Sequence, residues 1–171
     1  MELLEIKPFQ ETLRAGMCGP ASLKMVLDYF GIEKSEAELA ELMGKTDIGT
    51  SAAGFMSAAE ALGFEGEVQN NSSYEDIQTR IERNIPVIVN WFTRGRADYS
   101  DSEVADGHYS VVAGLDDQDI YLQDPEIGGL RKMRRQDFMR VWFDFEGECI
   151  KPDELIIRQF IAVYPRSWRS K

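Results

Sequence analysis

A single histidine, His108, and two cysteines, Cys18 and Cys149, are the whole supply of imidazole and thiol in 171 residues. Two cysteines make no disulfide framework, and one histidine with two distant cysteines makes no zinc set. The acidic stretch Asp98, Asp101, Glu103 and Asp106 lacks the spacing of an EF-hand loop. Gly128-Gly129 has neither the lysine nor the helix start of a phosphate loop. No cofactor or metal is therefore expected. Apolar runs fall far short of the ~20 residues that span a bilayer, so no membrane insertion is expected. No basic segment with an apolar run behind it opens the chain, so no signal peptide is expected either. Basic residues are also scarce, 19 against 30 acidic ones, and the net charge of −11 disfavours a phosphate backbone as partner. Repeats, low-complexity tracts and linkers are absent.

What is present suits a folded protein. Hydrophobic residues at 43% are enough for a core, and the length fits one domain, 1–171. A free thiol suits a reducing, cytoplasmic location. The acidic run Glu33–Glu41 and the basic run Arg131-Lys132-Met133-Arg134-Arg135 read as two solvated faces, with a docking patch for an acidic partner as the alternative for the basic one.

The first half reads as helices. Pro20 suits a first turn, Leu23, Val26, Leu27 and Phe30 recur at helical spacing, and Gly31 ends the run. Ser35-Glu36-Ala37-Glu38 has capping-box form and opens a short helix through Met43. Thr50 or Ser51 caps a third helix, with Phe55, Met56, Ala59 and Leu62 as its inner stripe. Tyr74 to Arg83 makes a fourth. The second half reads as strands at Val87–Val89, Tyr109–Ala113, Ile120–Leu122 and a closing strand from Leu155 to Tyr164, with a short helix at Gln136–Phe143. Helices followed by an antiparallel sheet make the fold class α+β.

Three residues at element edges carry chemistry. Cys18 precedes a buried helix by one or two residues, where unpaired N–H groups and the macrodipole favour the thiolate, the nucleophilic form. His108 opens a strand after Asp106-Gly107. Asp124 closes the next strand before Pro125. If Leu115 pairs with Asp119 around Asp116-Asp117-Gln118, then Ser110 lies opposite Asp124 and His108 is its diagonal neighbour. A one-residue slip would send Asp124 to the other face. Thiol, imidazole and carboxylate in this arrangement are the working parts of a cysteine hydrolase.

Gln10 followed by Cys18-Gly19-Pro20-Ala21-Ser22-Leu23-Lys24-Met25-Val26-Leu27-Asp28-Tyr29-Phe30-Gly31 resembles the C39-type peptidases of the papain-like superfamily. So do Gly49-Thr50-Ser51 with Ala58–Gly63, Pro86-Val87-Ile88, Gly107-His108-Tyr109-Ser110-Val111-Val112 and Asp124-Pro125. The resemblance runs from about Gln10 to about Trp142. It implies a papain-like fold, with a helical N-terminal part packed on a C-terminal antiparallel sheet. It implies a thiol peptidase or related amide hydrolase acting on a peptide or protein. Cys18 would be the nucleophile, His108 the base and acid, Asp124 the orienting carboxylate, and Gln10 an oxyanion donor beside the Cys18 N–H. The best-known members are domains of bacteriocin exporters that cut leader peptides after a double glycine. This chain shows no membrane segment and no nucleotide-binding domain, and its Gln-to-Cys spacing of eight residues is slightly longer. It looks more like the stand-alone members. Two alternatives stay open: a catalytically silent peptide- or partner-binding domain, and a transferase using the same thioester. The long polar segment Thr93–Gly107 is expected to border the cleft, and Cys149 is expected to be an ordinary thiol.

Overall fold

The structure is a computed structural model that describes residues 3–12, 16–46, 49–93, 107–145 and 151–168. The expectations placed on Arg94–Asp106 and on Cys149 lie outside the described residues.

Three helices come first: α1 (Cys18–Tyr29), α2 (Glu36–Leu42) and α3 (Ala52–Ala61). The Ser35 capping box forms as its spacing predicts, with Ser35 accepting from the Glu38 N–H and the Glu38 carboxylate accepting from the Ser35 N–H. Ser51 is the residue that caps α3. The inner face of α3 is Gly54, Phe55, Ala58 and Ala59, so Met56 and Leu62 sit at its margin rather than in the stripe.

β1 (Phe64–Gln69), α4 (Tyr74–Glu82), β2 (Val87–Phe92), β3 (Gly107–Leu115), β4 (Asp119–Asp124) and β5 (Gly129–Arg134) follow. Then come α5 (Arg135–Val141), β6 (Phe143–Phe145), β7 (Leu155–Ile157) and β8 (Phe160–Pro165). Six strands form one antiparallel sheet in the order β1-β8-β2-β3-β4-β5, and β6 pairs separately with β7. The expected closing strand is thus two strands in two sheets. The expected helix through Phe143 ends at Val141, and Phe143 instead stacks on Phe92 with ring centres 5.1 Å apart.

The α1–α3 layer covers only one sheet face. Ile88, Tyr109, Val111, Ala113, Ile161 and Val163 pack against α1–α3. Val87, Val89, Trp91, Val112, Phe160 and Ala162 point the other way and pack with α4 and α5 residues such as Tyr74, Ile77 and Phe138. Strands covered on both sides read as continuous apolar runs, as Val87–Val89 does. Leu23, Val26 and Leu27 of α1 are fully buried, and each contributes about 1.5–3 kcal/mol by leaving water. This packing fixes the start of α1 against the sheet, and Cys18 is its first residue.

Candidate active site

The hairpin of β3 and β4 brings His108 and Asp124 together. Val111 pairs with Gln123 and Val112 with Leu122, so Ser110 falls opposite Asp124 as expected. The turn is longer than expected, because Leu115 pairs with Ile120 rather than Asp119, and Asp116 accepts the N–H groups of Gln118 and Asp119. A bulge between Val112 and Gly114 absorbs the extra residue and restores the face of Asp124. His108 Nε2 and Asp124 Oδ1 are 2.7 Å apart, both buried.

Each group around this pair is held. On the neighbouring strand Trp91 pairs with His108, presents its ring edge-on at 5.5 Å, and donates its indole N–H to Ser110 Oγ. Gly107, just before the histidine, has no room for a Cβ because the Asp144 carboxylate lies against it. Asp124 Oδ1 also accepts the Glu126 N–H at 3.0 Å, and Oδ2 accepts Arg131 Nε at 2.5 Å. Arg131, read from the sequence as part of a solvated basic face, is therefore buried in the site, with its guanidinium 5.8 Å from the centre of the Trp91 ring. The other basic residues of the run stay at the surface, with Lys132 and Arg134 near Asp119 and Arg135 near Glu75. Glu36, likewise expected on a solvated face, is buried and accepts both the Thr12 N–H and its hydroxyl.

Burial disfavours imidazolium, but the bonds and charges of Asp124 and Cys18 outweigh it and hold the His108 proton well above the usual histidine range. Nε2 is taken by Asp124, so Nδ1 is the nitrogen available to Cys18. Burial would raise the Asp124 carboxyl, yet His108 and Arg131 hold it at about 2. Both ends of the pair are then charged at neutral pH.

Cys18 is half-buried and is the first helical residue, not one or two positions ahead of the helix. The first intrahelical donor is Ala21, whose N–H reaches the Met17 carbonyl, and Pro20 has no N–H. The Cys18 and Gly19 amides thus precede the helical ladder. Gln10 is exposed and reaches the β4–β5 turn, where its Nε2 donates to the Glu126 carbonyl at 3.4 Å. Its Cβ lies against Gly128, which has φ +60° and where an added Cβ would come within 2.8 Å. The next residue continues the tether, with the Glu11 N–H donating to the Pro125 carbonyl at 2.9 Å.

Glu11 is a residue that sequence reasoning passed over. Among the described residues its Oε2 is buried without a hydrogen-bond partner. Burial pushes its carboxyl up to about 7 against the pull of His108, with Glu126, Asp124 and Glu36 adding to the rise. Only its position beside Gln10 could have pointed to it. His108, Asp124 and Glu126 also carry ligand atoms within 4.8 Å of one another. The first two are already joined by a hydrogen bond, with the Glu126 acid beside them.

A thiol at a helix start, an imidazole joined to it, and a buried carboxylate behind the imidazole, on this order of helices and antiparallel strands, are the features of the papain-like peptidase fold. A family model described as "Peptidase_C39 like family" matches residues 4–150, and the chain belongs to that family. An uncharacterised protein of Methanothermobacter marburgensis is 36% identical over 125 residues, covering 73% of this chain and 75% of its own length. The transport/processing ATP-binding protein ComA of Streptococcus pneumoniae is 32% identical over 127 residues, which are 73% of this chain and 16% of ComA. The crystal structure of a Streptococcus ComA peptidase domain superposes with a TM-score of 0.70 at 24% identity, covering 94% of this chain and 99% of that one. A double-glycine-motif protease from a PCAT transporter, solved with its leader peptide, gives 0.65 at 20% identity, covering 95% and 94%. Among the described residues no helix is long and apolar enough to cross a membrane.

Proposed function

We propose that the protein is a thiol peptidase, or a closely related amide hydrolase, that acts on a peptide through Cys18, His108 and Asp124. The observation that carries this reading is the position of His108, bonded at Nε2 to a buried carboxylate and in hydrogen-bond contact with Cys18. With the thiol proton already held on His108, the sulfur attacks the substrate carbonyl. Negative charge then grows on the carbonyl oxygen, and in this reading the Cys18 N–H and one hydrogen of the Gln10 amide are its donors. The other hydrogen of that amide is donated to Glu126, which sets the nitrogen end of the side chain toward the turn. Imidazolium returns the proton to the leaving amine, leaving a thioester on Cys18. Water, activated by His108, releases the acid. The leader peptide held by the PCAT protease supports a peptide as the substrate class.

The test needs no known substrate. A peptide-epoxide probe is reacted with the protein and the labelled residue mapped. Cys18 is expected to be labelled, and His108→Ala to abolish the labelling. No reaction at Cys18 in the folded protein would favour a silent binding domain instead.

A further inference from the structure

Arg131 has no place in the chemistry above, yet it is buried much as His108 is. It lies on β5, the edge strand, with the neighbouring Leu130 and Lys132 turned to solvent. Its side chain is 9% exposed, while that of Asp124, which it meets, is fully buried. A buried carboxylate needs a permanent counter-charge. If His108 were the only cation beside Asp124, the pair would release its proton with difficulty, because release would strand a bare buried anion. Catalysis requires that release at each turnover. Arg131 stays protonated at any working pH, so with it present the Asp124 charge is matched whichever state His108 is in.

We propose that Arg131 is a positioning residue for the catalytic pair: by sharing the Asp124 carboxylate it fixes Oδ1 on the imidazole and keeps the His108 proton transferable. The inference rests on the peptidase reading for its use, but not for its test. Among the described residues, the titratable and charged groups around His108 and Asp124 are Glu11 of the N-terminal segment, Cys18 of α1, Tyr109 of β3, Glu126 of the turn, Arg131 of β5 and Asp144 of β6. Arg131 is the one cation of that set besides the imidazolium, so its removal changes the charge around the pair in a direction that no other member of the set offsets.

His108 is the only histidine, so its ring resonances can be followed by NMR without assignment. The titration is run on Cys18→Ala protein, which takes thiolate out of the coupling. Adding Arg131→Met should move the His108 midpoint upward by about one pH unit, the size of effect a charge at this range has. Arg131→Lys, which keeps the charge, should return it most of the way. Arg131→Gln, which can still donate to Oδ2 without charge, serves if the methionine variant does not fold, and should also move the midpoint upward. A midpoint that stays put or falls in the folded neutral variant overturns the proposal and leaves Arg131 a structural ion pair. Failure of Cys18 to react with the epoxide probe would remove the peptidase reading and leave this titration unaffected.

Discussion

The two halves of the site are built by different means. His108 and Asp124 sit in a strand ladder, with their register fixed by β2 on one side and β5 on the other. Cys18 starts the packed helix α1, whereas Gln10 hangs on a segment held at points: Thr12 to Glu36, Glu11 to Pro125, Gln10 to Glu126 and Gly128. A ladder places a side chain by shared backbone bonds and resists local change. A tethered segment depends on each contact, and any one of them can be loosened. The half that must grip a developing charge is therefore the half more open to adjustment.

Attacking the ladder half should cost most. Asp124→Asn leaves Arg131 buried without its anion, so we expect a stability loss of about 3 kcal/mol in urea unfolding at pH 7. Turnover should fall roughly 10³-fold, because the amide cannot stabilise imidazolium. The stability contributed by the Asp124 charge is present above its ordinary value of 3.8 and is lost as pH falls toward 2. That contributed by His108 is present below its ordinary value of 6.5 and is lost as pH rises through its elevated folded value. The stability curves of the wild type and of the Asp124→Asn variant should therefore converge at strongly acid pH, and curves that stay parallel would contradict the ion-pair account.

The tethered half should lose turnover with little loss of fold. Gln10→Ala is expected to lower turnover roughly 100-fold while alkylation of Cys18 by iodoacetamide stays nearly unchanged. Equal loss in both assays would mean that Gln10 acts on the thiol and not on the oxyanion. Gly128→Ala, which strains φ +60° and pushes on the Gln10 Cβ, should cost about tenfold in turnover by displacing that amide. Circular dichroism and Cys18 labelling should be unaltered, and unchanged turnover would show that the turn does not place Gln10.

Glu11→Gln should be the mildest in turnover and is read in stability. The folded protein holds the Glu11 proton up to about 7 against an ordinary 4.5, so stability falls as pH rises between those values. The glutamine variant should melt a few degrees higher than wild type at pH 8 and at the same temperature at pH 4. A difference of the same size at both would place the effect in packing and not in charge.

Much of this is legible in the residues, and the exceptions have physical causes. Capping boxes, the apolar periodicity of α1 and the hairpin turn are local, so the sequence displays them directly. Ser110 falls opposite Asp124 as predicted even though the turn is one residue longer than its residues suggest, because the bulge cancels the difference. β1 carries no strand signal, since Phe64-Glu65-Gly66-Glu67-Val68-Gln69 is a charged edge strand whose Glu67 answers Arg80 from another element. β5 inverts the usual rule, burying Arg131 and exposing Leu130, so hydrophobic alternation cannot find it. Glu36 and Glu11 depend on contacts across many residues that no local pattern encodes.

The bulge at Ala113 has one more consequence, for how this protein can be cut. It separates the count of residues in the β3–β4 turn from the phase of the strands beyond it. Since β2 and β5 clamp those strands independently, the covalent link through Asp117 is dispensable to their alignment. A chain opened there, as two fragments that reassociate, should rebuild the same pairing, which makes the tip of this hairpin the natural place to divide the molecule or to insert a reporter domain into it.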